Sequence, residues 1–222
     1  PLQHITGIVN FYGREYKVNA NVLIPRQDTE ILVEEVMKLT NSESRVLDMC
    51  TGSGCIIISL AASGHTSENG AVAIDISDDA LKVADYNKKY NNADYIKLIK
   101  SDMFSSSECE QYKNEDNRFD VIVSNPPYIP TKDIDELSEE VRLHDPVLAL
   151  DGDTDGLKFY KAITKQSVNY LKENGYLCYE IGYNQAEDVR NIMEQCGYSG
   201  IKVIKDLAGL DRVVIGRLNN IN

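Results

Sequence analysis

The 222-residue chain has no tryptophan and only three histidines, His4, His65 and His144, scattered along its length. That scatter has no metal-ligand spacing, so no metal site is expected. Its five cysteines, Cys50, Cys55, Cys109, Cys178 and Cys196, form an odd set without a C-x-x-C pair. Several fall inside strand or helix patterns and read as buried free thiols, which suits a reducing, cytoplasmic compartment better than a disulfide framework. No apolar run is long enough to cross a bilayer, so no membrane partner is expected. Basic residues are outnumbered 23 to 35, leaving a net charge of −12. Nucleic-acid binders draw much of their affinity from neutralising phosphates, so no nucleic-acid partner is expected either. There is no internal repeat, no low-complexity tract and no secretory signal. The chain opens at Pro1 without a methionine, as a fragment would, so the missing leader excludes nothing.

Hydrophobic residues make up 42% of the chain, enough to build a core, and the length favours one α/β domain with a small appendage. Residues 1–25 form the appendage, a β-hairpin or linker with its turn at Gly13-Arg14; residues 26–222 form the main domain. A helix follows Arg26, with Asp28 and Glu30 in its first turn, where acids suit the helix dipole. Further on, strands are expected at 45–49, 71–76, 95–100, 119–124, 175–181, 201–205 and 212–218. Helices fill most of the intervals, with 105–118 a polar surface connection. Such alternation predicts a parallel or mostly parallel sheet with helices on both faces. The connection from 129 to 156 is long, and long connections are often functional.

The most informative stretch is Phe119-Asp120-Val121-Ile122-Val123-Ser124-Asn125-Pro126-Pro127-Tyr128. Its apolar run reads as a strand buried on both faces. The prolines supply no N–H and fix φ, so the strand stops there, and the first one pushes Asn125 toward an extended conformation. The result is a stiff corner at a strand's C-terminal end, the edge where open α/β sheets bind ligands. A carboxamide, rigid carbonyls and an aromatic ring there suit a flat guest bearing an NH2 group, either a nucleobase or a side-chain amide.

A second ligand element lies upstream. The strand ending at Met49 runs into Cys50-Thr51-Gly52-Ser53-Gly54 and then a helix, the opening of a nucleotide-binding half. The glycines leave room for a ligand beside the backbone, and the helix start offers N–H groups to an anion. Ile57 stands where a dinucleotide fingerprint has its third glycine, which disfavours NAD and FAD. Asp75 closes the next strand, at about the distance along the chain from which an acid reaches ribose hydroxyls. S-adenosylmethionine fits this pair, its carboxylate at the loop and its ribose diol at Asp75.

Taken together, these motifs resemble the HemK/PrmC family, enzymes that methylate the glutamine N5 in the Gly-Gly-Gln loop of peptide chain release factors. The likeness extends to Pro1–Gly7, Ile24–Glu30, Asp151–Leu157, Glu180-Ile181-Gly182, Asp206–Gly209 and Asp211-Arg212. It implies an α/β class I S-adenosylmethionine-dependent (Rossmann-like) methyltransferase fold: a mostly parallel seven-stranded sheet with one antiparallel strand, preceded by the hairpin. It also implies a monomer acting on a release factor. Family members carry a small helical N-terminal domain, and Pro1 corresponds to the join after it.

By the resemblance, Cys50, Thr51, Gly52, Ser53 and Gly54 contact the methionine end of the cofactor, Asp75 its ribose, and Asp102 and Met103 its adenine side. Asn125 touches both cofactor and substrate, and Asn125, Pro126, Pro127 and Tyr128 hold the glutamine amide, with Asn125, Pro126 and Tyr128 as the catalytic set. Three positions depart from the family pattern. Cys50 replaces a glycine, which is tolerated if φ there is negative. Met103 stands where a larger ring is common, and Asp153 replaces a second glycine. The rival activities are adenine-N6 methylation of nucleic acid and a non-catalytic cofactor-binding module.

Overall fold

The computed structural model describes residues 2–219, apart from the His4 side chain; Pro1 and the last three residues of the expected main domain lie outside the described residues. A short helix α1 (Leu2–Thr6) leads into a two-stranded hairpin, β1 (Ile8–Phe11) and β2 (Arg14–Lys17). The turn falls at Tyr12-Gly13, one position before the expected Gly13-Arg14, with Phe11 paired to Arg14. Tyr12 and Gly13 both take positive φ, 49° and 73°. Two consecutive left-handed residues are what a two-residue hairpin turn demands.

Helix α2 (Thr29–Met37) follows, and then the sheet begins. Its strands are β3 (Val46–Met49), β4 (Ala71–Asp75), β5 (Lys97–Lys100), β6 (Phe119–Ser124), β7 (Leu171–Glu180), β8 (Tyr198–Lys205) and β9 (Asp211–Leu218). The spatial order is β5-β4-β3-β6-β7-β9-β8, and β9 alone runs antiparallel to its neighbours. The helices between strands are α3 (Cys55–Ala62), α4 (Asp78–Tyr90), α7 (Lys158–Ser167) and α8 (Ala186–Gln195). Two short helices, α5 (Glu139–His144) and α6 (Val147–Leu150), break up the long connection after β6.

The central strands alternate between two cores, with one break where the register of β6 shifts between Phe119 and Val121. Leu47, Met49, Val72, Ile74, Phe119 and Ile122 face one layer with α7 and α8, while Val46, Ala71, Ala73, Val121 and Val123 face α2 and α3. A period of two is what sends neighbouring side chains to opposite faces, and burial on both faces makes these runs almost uniformly apolar. Ile122 is fully buried, and truncating such a side chain to alanine costs about 3 kcal/mol.

The hairpin packs into this core. Phe11 and Tyr16 are buried against α2 and α3, and the Tyr16 hydroxyl lies 2.7 Å from Ser59 Oγ. Asn87 of α4 closes the other side, accepting from the Lys17 N–H at 2.7 Å and donating to its carbonyl at 3.0 Å. The 105–118 connection is less polar in place than in sequence: it folds into 3-10 turns that bury Cys109 and Tyr112 against Phe119. Strand β7 starts at Leu171, four residues before the expected Gly175, because residues 171–174 prolong it through an irregularity opposite Phe119–Val121.

Candidate active site

Sheet register assembles the site. Met49 of β3 is paired with Ile74 of β4 and with Ser124 of β6. Cys50, Asp75 and Asn125 therefore leave three neighbouring strands at the same level. Ser124 Oγ reinforces the alignment by donating to the Met49 carbonyl at 2.6 Å. The strand order reverses between β3 and β6, and at such a reversal the two outgoing chains splay apart and leave a crevice. The cleft here is lined by Cys50–Ser53, Asp75, Asp102, Met103, Asn125 and Pro127. Residues 21–26 form one further wall, and Pro146, Leu148 and Phe159 another. Gly54, Pro126 and Tyr128 stand behind this lining.

The glycine loop works by two different means. Gly52 has φ 55°, and a Cβ on it would meet no protein atom within 4 Å, so its free side opens on space. Gly54 has φ 83°, and its missing Cβ would lie 2.8 Å from Ile58 Cδ1 and 3.3 Å from Ala84 Cβ. It lets α3 start hard against α4. Cys50 takes φ 63°, so the condition set for tolerating it there, a negative φ, is not met. The loop keeps a glycine conformation and imposes it on a cysteine, whose side chain is retained by packing against the core. Met103 (φ 50°) and Asp153 (φ 71°) are likewise left-handed.

Two carboxylates organise the loop from below. Asp48 is fully buried in β3; Thr51 Oγ1 donates to its Oδ2 at 2.7 Å, and its Oδ1 has no partner among the described residues. Burial raises its pKa to about 7, with the Thr51 hydroxyl and the Ile57 N–H working in the opposite direction. Asp75 accepts from the Gly52 N–H at 2.9 Å and from the Ser77 N–H at 3.0 Å, so it ties the loop to the start of α4. Burial raises its pKa too, opposed by these N–H groups. An ionised carboxylate has about four acceptor positions, and two are used, which leaves Asp75 able to receive hydroxyls from the cleft.

At the corner, Asn125 is half-buried, lines the cleft and makes no hydrogen bond among the described residues. Pro126 and Pro127 are buried. Tyr128 turns its hydroxyl away toward Glu180, a carboxylate at the end of β7 that is 2% exposed, with 3.5 Å from Oη to Oε1. Thr29 Oγ1 donates to the other oxygen at 2.5 Å. Burial lifts Glu180 to about 7 against the pull of Thr29, Arg212 and Arg26. Burial and then Glu180 raise the pKa of Tyr128, which stays a neutral phenol. Arg212 pairs with Asp206 at 3.2 Å, and Arg26 bridges to Asp145 at 2.7 Å.

Glu180, Thr29 and Asp48 are site-supporting residues that the sequence reading did not single out as such. Glu180 shares one signal with Asp75, an acid ending an apolar strand; Thr29 lies in the Ile24–Glu30 family stretch and Asp48 opens the D-x-x-T-G-S-G run, but neither motif shows what the side chain meets. Among the described residues, no three His, Cys, Asp or Glu side chains converge as metal ligands.

A loop, an acid and an amide at one crevice match a methyl-transfer site, and relatives of the chain decide the matter. A family described as "Methyltransferase domain" matches residues 40–211. The release factor glutamine methyltransferase of Thermodesulfovibrio yellowstonii is 41% identical over 219 residues, 97% of this chain and 75% of that protein. The chain belongs to the release factor glutamine methyltransferase family. The Fusobacterium nucleatum member is also 41% identical, over 98% of this chain and 60% of its own length. The chain thus spans only part of the relatives it matches. A solved release factor-specific protein-(glutamine-N5) methyltransferase from Alicyclobacillus acidocaldarius superposes with a TM-score of 0.51 at 25% identity, covering 92% of this chain and all of that one. Membership makes the chain an enzyme that uses S-adenosylmethionine as methyl donor.

The cleft fits that donor. Gly52 leaves open space beside the loop, Asp75 keeps acceptor capacity for a diol, and Met49, Ile74, Ile76 and Met103 provide apolar wall.

Proposed function

We propose that the chain transfers a methyl group from S-adenosylmethionine to the side-chain amide nitrogen, N5, of the glutamine in the Gly-Gly-Gln loop of peptide chain release factors. The observation that carries this reading is Asn125, a carboxamide without a hydrogen-bond partner among the described residues, held in register beside the glycine loop and Asp75. In this reading Gly52, Ser53 and the Cys50–Thr51 backbone hold the methionine end of the donor, Asp75 the ribose, and Asp102 and Met103 the adenine side. When bound, the donor supplies an electrophilic methyl on a sulfonium.

The chain's own residues prepare the acceptor. An amide nitrogen is a poor nucleophile because its lone pair is delocalised into the carbonyl. The Asn125 side-chain oxygen accepts one N–H of the glutamine amide and the Pro126 carbonyl accepts the other. Both bonds raise electron density on the nitrogen and aim it. Orientation of this kind supplies roughly 7–11 kcal/mol of a barrier. A strong base is not needed, since a methylated amide cation gives up its proton to water.

The same reading makes the protein a cytoplasmic monomer with no nucleic-acid partner. The charge of −12 and the five free thiols support this. Among the described residues, no helix is long and apolar enough to cross a membrane. The test is incubation with methyl-labelled donor and either a release factor or duplex DNA. Label on the release factor glutamine is expected; label on DNA adenine, or on neither, overturns the proposal.

A further inference from the structure

The Asn125–Tyr128 corner must be rigid to aim an amide, yet it has few means of being held. The β6 ladder ends at Ser124, and Pro126 and Pro127 have no N–H to donate. Besides the Arg212 guanidinium, which interacts with the Tyr128 hydroxyl, two hydrogen bonds reach positions 125–128 among the described residues. One is the Tyr128 hydroxyl to Glu180 at 3.5 Å, near the limit at which a hydrogen bond exists. The other is well formed: Gln185 Nε2 donates to the Tyr128 carbonyl at 2.9 Å.

Gln185 does more than cap this carbonyl. Its Nε2 also lies 3.4 Å from the Gly156 carbonyl, and its Oε1 accepts from the Gly182 N–H at 2.9 Å. One planar carboxamide, 7% exposed, therefore joins the corner, the loop before α7 and the turn after β7. Gly156 and Gly182 make room for it, and Gly152 lets the Tyr128 backbone close on Gly156. A Cβ on Gly156 would lie 2.5 Å from the Tyr128 oxygen, one on Gly152 2.9 Å from the Tyr128 carbonyl carbon, and one on Gly182 2.9 Å from Gln185 Oε1. Real Cβ atoms do not approach so closely, so these backbones are packed around the amide with nothing to spare.

We propose that Gln185 is the positioning residue of the acceptor site, its carboxamide fixing the Tyr128 carbonyl and thereby the Asn125 and Pro126 groups that receive the substrate amide. This rests on the methyl-transfer reading above. Only glutamine meets the requirement at this reach. A glutamate of the same shape keeps the acceptor for Gly182 but loses the donor and sets a carboxylate against the Tyr128 carbonyl; methionine loses both. Gln185 does not line the cleft, so the donor's contacts at the glycine loop, Asp75, Asp102 and Met103 are left intact, and only the one at Asn125 depends on it.

The test compares wild type, Gln185→Glu and Gln185→Met on a release factor with labelled S-adenosylmethionine, reading kcat, KM, donor Kd by calorimetry, and thermal unfolding. Displacing reacting groups by about 1 Å costs about 100-fold, so kcat is expected to fall by about 10- to 100-fold in both variants, with donor Kd within about 3-fold of wild type. Should Gln185→Glu fail to fold, the uncharged Gln185→Met carries the comparison. A folded variant with wild-type kcat overturns the proposal. So does donor affinity lost in step with kcat, or loss of folding in both variants, since Gln185 is then a general prop. A wild-type enzyme that labels no release factor overturns the underlying reading, and this proposal with it, and the wild-type control tells that case apart from the others.

Discussion

Thr29 donates to Glu180 across 2.5 Å, although 151 positions separate them in the chain. The contact fastens the start of α2 to the end of β7, and through the second oxygen of Glu180 to Tyr128. A buried carboxylate held by hydroxyls keeps its shape whether charged or neutral, but its charge is costly. That cost has a measurable sign.

Glu180 titrates at about 7 in the folded chain against an ordinary 4.5. Below pH 4.5 it is neutral in both folded and unfolded states, and its stabilising share is fully present. As pH rises from there through 7, the unfolded state ionises first and that share is lost, up to about 3 kcal/mol. Glu180→Gln stays neutral throughout. Its stability is expected to match wild type near pH 4.5 and exceed it at pH 8. Asp48, also raised to about 7, leaves a slope of the same sign in both proteins, so their difference isolates Glu180. Urea melts at several pH values read this directly. Parallel wild-type and variant curves contradict it.

Asn125→Ala removes the acceptor that aims the substrate amide while leaving the loop and Asp75 in place. Loss of one such oriented group costs about 100-fold or more in kcat. Methyl transfer to the release factor is expected to fall by at least that factor, with donor binding partly retained. Full turnover in this variant sinks the mechanism.

Asp75→Asn keeps the shape but not the charge, and its single acceptor oxygen cannot serve Gly52, Ser77 and a ribose together. A hydrogen bond to a charged group is worth about 1.5–3 kcal/mol, so donor Kd is expected to weaken by about 10- to 100-fold in titration calorimetry. An unchanged Kd places the ribose elsewhere.

Gly54→Ala puts a Cβ on a residue at φ 83° and 2.8 Å from Ile58 Cδ1. The left-handed penalty alone is about 1–2 kcal/mol, and the crowding adds to it. The unfolding midpoint is expected to drop by about 6 °C, and Ile58→Val in the same chain should recover part of that. Gly52→Ala, with open space beside it, should lose donor affinity out of proportion to stability. Equal stability and equal donor affinity in the two alanine variants contradict this division of labour.

The amino-acid sequence by itself determined the strand-loop-helix at 46–62 and the proline corner at 125–128, because both depend on neighbours in the chain. Apolar alternation, glycine and proline act over a few residues, and they announce a strand's end wherever the chain later goes. The acids closing β4 and β7 were equally legible as residues, and the family motifs pointed to the donor. Tertiary structure alone decided that Cys50 adopts the left-handed conformation of a glycine, since packing on the core holds the thiol there. It also decided that residues 105–118, polar on paper, bury Cys109 and Tyr112. Above all it decided how the corner is held. Thr29, Tyr128, Glu180 and Gln185 have no common spacing; they meet because β6 and β7 are paired in one register and α2 packs across β7, and a hydrogen bond 57 or 151 residues long in sequence leaves no periodic trace.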